Sequence, residues 1–217
     1  MLSQTGNQPS QARRAGSRLD EIARRGMDIA LSSLVLLLCA PLMVTLAALV
    51  KLSSPGPALF RQQRVGRGGR LFWLLKFRSM RTGGGGPSVT ADGDNRITQI
   101  GRFLRRTKLD ELPQFLNVLR GEMSLVGPRP EVPEYVAHYT GEQREVLSVR
   151  PGITGPTQLA YRREEEMLKG KEDVVAFYLQ EILPAKLAMD LAYIRARTVW
   201  GDLGLLLQTA LLMIRRG

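Results

Sequence analysis

Two adjacent carboxylates, Asp110 and Glu111, lie just downstream of Arg102, Arg105, Arg106 and Lys108. Side by side among so many cations, they can bind a divalent metal and present an ionised oxygen to a phosphorus atom. Spacing alone also admits a plainer reading. Asp110 would then be a helix-capping aspartate worth about 1 kcal/mol, with Glu111 complementing the helix dipole. Further along, Gly127-Pro128-Arg129-Pro130 holds one guanidinium between two rigid prolines, an arrangement suited to bidentate phosphate binding. Arg150 opens residues 150–155 (RPGITG), again an arginine followed by turn residues. Taken singly, each is as readily a turn with a solvated arginine. Only their accumulation is informative.

Positioning these groups requires ordered elements. Leu112, Phe115, Leu116 and Leu119 recur at i, i+3, i+4 and i+7, which predicts a helix packing one apolar face on a core. Pro113 is tolerated only in a first turn, so that helix is expected to begin near Asp110. Asp110 then falls at or near the N-cap, and Glu111 is the first helical residue. Leu71–Phe77 (LFWLLKF) reads as a short, mostly apolar strand, although its length also permits a helix turn, and residues 83–88 (GGGGPS) read as an exposed loop. The apolar run at 203–214 is too short to span a bilayer and suits an interfacial helix or a core helix equally. The single Cys39 excludes a disulfide scaffold, and the single His138 argues against histidine-ligated zinc or a Ser-His-Asp triad. His138 itself reads as a surface or packing residue.

The 217-residue chain carries 31 Lys+Arg against 20 Asp+Glu, a net charge of +11 that implies an anionic partner. The excess is local. Lys51, Arg61, Arg64, Arg67, Arg70, Lys76, Arg78 and Arg81 follow one another with no acidic residue between them. This block adjoins the most apolar stretch, residues 29–50, which is 22 residues without a charge. A straight helix of that length measures roughly 33 Å, enough for a hydrocarbon core of about 30 Å. Pro41 at its middle would break or kink it, and both flanks are basic, so the positive-inside rule sets no orientation. A re-entrant hairpin, turning at Pro41 and returning to the same side, accounts for both facts. A proline-kinked spanning helix and a buried soluble helix are the other readings.

With these residues in view, the chain resembles the bacterial sugar transferases, the monotopic phosphoglycosyl transferases that act on polyprenyl phosphate. The resemblance rests on residues 64–80 (RVGRGGRLFWLLKFRSM), 101–130 (GRFLRRTKLDELPQFLNVLRGEMSLVGPRP) and 150–155, and on the central proline of the apolar segment. It implies that Asp110 attacks the β-phosphate of a nucleoside diphosphate sugar, usually a UDP-sugar, releasing a nucleoside monophosphate. Polyprenyl phosphate, usually undecaprenyl phosphate, then takes the phosphosugar from the aspartyl intermediate. Glu111 would hold Mg²⁺. Lys76, Arg78, Arg105 and Arg129 match positions that contact phosphate or nucleotide, and Arg150 matches more weakly, in a block that is mainly structural. One departure is Ala40-Pro41, where the family usually has Ser-Pro at the membrane break. The large multi-helix N-terminal region of longer relatives is absent, which reads as a minimal catalytic form.

The expected fold is mainly α with a small β element (α+β). It comprises a basic tail over 1–23, a re-entrant membrane helix over 24–52 broken at Pro41, and a cytoplasmic catalytic domain over 53–217 with interfacial amphipathic helices. The expected location is the bacterial inner membrane, with the basic block drawn to anionic phospholipid at roughly 1 kcal/mol per residue near the surface. A homodimer is left open. The competing class is a membrane-anchored nucleic-acid-binding or scaffold protein. No nucleic acid is expected, since helix-turn-helix, zinc and RNP-type signatures are all missing.

Overall fold

The computed structural model describes residues 18–81 and 94–214. The expected glycine-rich loop at 83–88 and most of the expected basic tail lie outside them. A 36-residue helix, α1 (Arg18–Ser53), opens the chain and is the one described helix long and apolar enough to cross a membrane. It begins earlier than expected, because residues 18–23 are its first turns and not part of a tail. Asp20 and Glu21 lie in that first turn and Lys51 in the last, both favourable to the helix dipole.

Pro41 lies inside α1, and the backbone is helical on both sides of it. No unwound turn interrupts the helix at Pro41. Thr45 Oγ1 donates to the Pro41 carbonyl at 3.0 Å, a local bond of the kind that bends helices. The middle of α1 is bare: Leu37, Leu38 and Val44 are 74%, 69% and 71% exposed.

A hairpin follows, β1 (Leu59–Val65) antiparallel to β2 (Leu71–Phe77), registered from Leu59 opposite Phe77 to Val65 opposite Leu71. The strand expected at Leu71–Phe77 has those bounds, and Phe72, Leu74, Leu75 and Phe77 are buried. Thr98 then caps α2 (Gln99–Thr107), accepting from the Gly101 amide. Gly101 is needed for packing. A Cβ there would lie 1.9 Å from the Ser79 carbonyl oxygen, so only glycine lets α2 rest on the chain leaving β2.

Helix α3 (Gln114–Arg120) leads to β3 (Ser124–Val126), which pairs in parallel with β4 (Gly152–Thr154). Short α4 (Pro133–Val136) lies in the crossover between them. A Cβ at Gly127 would lie 2.6 Å from the Arg150 carbonyl oxygen, so the GPRP and RPGITG segments pack backbone against backbone. The rest is helical: α5 (Pro156–Ala160), α6 (Glu164–Leu168), α7 (Val174–Phe177), α8 (Leu183–Ala196) and α9 (Val199–Ile214). The architecture is mainly helical with two small sheets, as expected.

Three apolar clusters hold these elements. The largest joins Val132, Tyr135 and Val136 to Tyr178, Ile182, Leu183, Leu187 and Leu191. A second joins β2 to α3 and β3 through Phe72, Leu74, Val118, Met123, Leu125 and Val126. The third packs Leu46 and Val50 of α1 on Phe77 and Leu104. Polar ties bind the other end of α1. Arg25 donates to the Val118 and Leu119 carbonyls at 2.7 and 2.8 Å, and Asp28 accepts from the Leu125 amide at 2.9 Å. Arg24 donates to Asp202 of α9 at 2.7 Å, a buried ion pair. Both ends of α1 are therefore fastened to the domain while its middle is not.

Candidate active site

Asp110 and Glu111 do not begin a helix. Lys108 ends α2 in the left-handed conformation (φ 59°), and Leu109–Glu111 form one turn of 3₁₀ helix. Lys108 is the one non-glycine residue with positive φ among those described, a conformation costing a lysine about 1–2 kcal/mol. Pro113 takes the N-cap place of α3, with no side-chain cap. The capping reading of Asp110 therefore fails: its Oδ1 is buried and has no hydrogen-bond partner.

The tight turn directs Glu111 toward β2 and the GPRP segment. Its Oε1 receives Lys76 Nζ at 3.5 Å and an Arg129 guanidinium nitrogen at 3.3 Å. Burial works against the Glu111 charge, but Lys76, Arg129 and Lys108 outweigh it and hold the carboxyl well below the usual range. Asp110 moves the other way. Burial raises its pKa, Lys76 opposes, and the neighbouring Glu111 charge adds to the rise. Burial also pushes Lys76 down to about 8, with Glu111 restoring part of the loss. Two neighbouring carboxyls are thus driven apart, the usual mark of separate chemical roles.

Of the residues expected around the dyad, Lys76 and Arg129 are in contact with it. Arg105 lies within electrostatic reach of Asp110 and is paired with Glu165 of α6. Arg78 is placed elsewhere. Its guanidinium donates to the Ser54, Pro55 and Val50 carbonyls at 2.6, 2.8 and 3.2 Å, closing the C-terminal end of α1. Arg150 donates to the Gly121 carbonyl at 2.9 Å, at the C-terminal end of α3, which suits the structural reading of RPGITG. Within the basic block, Arg64, Lys76 and Arg78 turn inward, whereas Lys51, Arg61, Arg67, Arg70 and Arg81 are exposed.

The face of α3 differs from the expected one. Leu112, Phe115, Leu116 and Leu119 are only half-buried, while Gln114, Asn117 and Val118 are buried. Asn117 explains part of this, accepting from the Leu75 amide at 3.0 Å and donating to the Trp73 carbonyl at 2.8 Å on β2. Behind Arg129 lies a second polar group that spacing did not reveal. Glu131 accepts from Tyr178 Oη at 2.6 Å, and Lys186 bridges Tyr178 and Glu164 at 3.0 and 2.8 Å. Glu131 directly follows GPRP, but its partners are some 50 residues away in sequence, so no local pattern announces them.

Among the described residues no three carboxylate, histidine or cysteine side chains converge on one point. Mg²⁺ does not need three. It is commonly held by one or two carboxylates together with substrate phosphate oxygens and water. The open Asp110 Oδ1 beside Glu111 fits that kind of binding.

The site thus combines a helix of membrane-crossing length, fastened at both ends to an α+β domain, with a carboxylate pair set among cations. The chain belongs to the bacterial sugar transferase family, whose profile matches residues 19–216. It is 41% identical over 202 residues to a UDP-glucose:undecaprenyl-phosphate glucose-1-phosphate transferase of Caulobacter vibrioides, covering 87% of this chain and 68% of that one. An Escherichia coli protein of the same name is 42% identical, covering 89% of this chain and 40% of its own length. A UDP-N-acetylgalactosamine-undecaprenyl-phosphate N-acetylgalactosaminephosphotransferase of Aeromonas hydrophila is 46% identical, covering 64% and 34%. The chain thus spans about two thirds of the first relative and well under half of the other two.

Proposed function

We propose that the protein transfers a phosphosugar from a UDP-sugar to undecaprenyl phosphate through a covalent intermediate on Asp110. The observation that carries the reading is the buried, unpartnered Asp110 Oδ1 beside a Glu111 clamped by Lys76 and Arg129. The relatives named above support the substrate class, since their names pair a UDP-sugar with undecaprenyl phosphate.

In the first step an Asp110 oxygen bonds to the β-phosphorus as the bond from that phosphorus to the bridging oxygen breaks. UMP leaves with the bridging oxygen, and an aspartyl phosphosugar remains. In the second step an oxygen of undecaprenyl phosphate bonds to the same phosphorus, and the Asp110 carboxylate is released. Lys76 and Arg129 are placed to stabilise charge developing on the phosphoryl oxygens. Bound Mg²⁺, held at Glu111 and Asp110, would neutralise the diphosphate and favour the ionised form of Asp110.

The acceptor phosphate lies at a bilayer surface, so the helix and the site must share one depth. We read α1 as re-entrant, a helix bent at Pro41 whose two ends return to the cytoplasmic face. Support comes from the anchoring of both ends and the bare apolar middle. The apolar side of α9 would rest at the same interface, with Trp200 82% exposed and Leu207 61%.

The test is incubation with UDP-glucose and no lipid acceptor, followed by mass spectrometry of the intact protein. One hexose phosphate on Asp110 and one equivalent of UMP are expected. UMP release by an Asp110→Asn variant at the wild-type rate would refute the nucleophile assignment.

A further inference from the structure

The buried face of α3 carries two amides where an apolar face was expected, and only one of them ties structural elements together. Asn117 joins α3 to β2. Gln114 is 2% exposed, and its Nε2 is buried with no hydrogen-bond partner. Buried polar groups in folded proteins find partners in the great majority of cases. A position that needed only packing would be served by leucine or methionine.

Its location follows from its neighbours. Glu111, Gln114 and Asn117 recur at intervals of three along the 3₁₀ turn and α3. Glu111 meets Lys76 Nζ at 3.5 Å, and Asn117 Oδ1 meets the Leu75 amide at 3.0 Å, both on β2. Gln114 lies between them along the chain, on the buried side of α3. Four residues before it, Asp110 Oδ1 is the other unpartnered polar atom of this corner. A donor and an acceptor, both buried and both unmet, thus lie four residues apart, and the acceptor adjoins the Glu111 that Lys76 and Arg129 clamp.

We propose that Gln114 is a further substrate-contacting residue, its amide donating a hydrogen bond to a non-bridging oxygen of the phosphoryl group that bonds to Asp110. A nitrogen suits this place, because the incoming group offers only acceptors. Glu111 already engages Lys76 and Arg129. Gln114 is a donor with no carboxylate to satisfy, so it can orient the phosphoryl group without weakening that clamp. The inference rests on the phosphoryl-transfer reading above.

Gln114→Met keeps the length and removes the donor; Gln114→Glu keeps the shape and replaces the donor with a repelling acceptor. The full chain is assayed in detergent for UMP release from UDP-glucose, without and with undecaprenyl phosphate, beside wild type, Asp110→Asn and thermal melts. Gln114→Met should lose about 10²-fold in kcat, as expected for one preorganised donor, with KM for UDP-glucose little changed and Tm equal or higher. Gln114→Glu should lose more. Wild-type kcat in Gln114→Met, or a loss that only tracks a lower folded fraction, overturns the inference while the function stands. If Gln114→Met does not fold, wild-type kcat in Gln114→Glu overturns it equally. Wild type that releases no UMP from any nucleotide sugar overturns both the function and the inference.

Discussion

Glu111, half-buried, and Glu131, buried, are carboxylates that each hold two cations, yet they sit in clusters built to different ends. Around Glu131 both oxygens are taken, Oε1 by Tyr178 at 2.6 Å and Lys186 at 3.6 Å, Oε2 by Arg64 at 3.5 Å. Burial opposes its charge, and Lys186 and Arg64 more than compensate, so it remains ionised. The Glu111 clamp looks alike, with Lys76 and Arg129 in place of Lys186 and Arg64. Its sequence neighbour marks the difference: Asp110 keeps one buried oxygen open. A carboxylate whose two oxygens are both engaged works as a strut, and one with an open oxygen keeps acceptor capacity for a ligand.

The contrast is broken most directly by exchanging what each cluster loses. Asp110→Asn should lower UMP release about 10⁴-fold or more while leaving Tm unchanged or raised, because a carboxyl disfavoured by burial becomes neutral. Lys186→Met should do the reverse. It strips a cation from Glu131 and Glu164, and breaking such a buried pair costs about 3–5 kcal/mol, read as lost denaturant stability. If Lys186→Met kept full stability, the strut assignment would be wrong.

A pH series sharpens the same region. Burial pushes Asp190 up to about 7, opposed by the Thr157 hydrogen bond at 3.0 Å and by Lys186. The folded protein therefore keeps a proton that an unfolded chain releases near pH 4. Stability from this group is full below about 4, declines as pH rises toward about 7, and is flat above. A proton that only the folded chain retains is worth about 1.4 kcal/mol for every pH unit of that interval. The decline should therefore amount to a few kcal/mol, and Asp190→Asn should remove it from melts recorded across the same range. The smallest expected effect is at Lys108. Lys108→Gly should gain about 1 kcal/mol by relieving its left-handed backbone. It should also lower UMP release modestly, because a cation bearing on both Asp110 and Glu111 is lost.

Much of this arrangement was legible before any fold was known. The strand at Leu71–Phe77, the apolar stretch inside α1 and the exposed His138 all agree with expectation. Three readings failed for one reason. The start of α3, its buried face and the site of Arg78 each depend on what the rest of the chain brings alongside. A left-handed Lys108 followed by a 3₁₀ turn displaced the helix start from Asp110 to Gln114. An open edge of β2 drew Asn117 inward in place of leucines. The Val50 carbonyl in the last turn of α1 and the Ser54 and Pro55 carbonyls just beyond it captured Arg78, because a guanidinium satisfies several at once.

What the sequence determined by itself was chemistry and partition. A charge-free run long enough for a bilayer must leave water, and two carboxylates among cations must either pair with them or receive an anion. Only the tertiary structure decided which carboxylate is clamped and which is open. That depends on the direction of one turn and on β2 and the GPRP segment, which approach Glu111 from 35 residues before it and 18 after. Hydrogen bonds and desolvation act over a few ångströms in space, so separation along the chain carries no record of them.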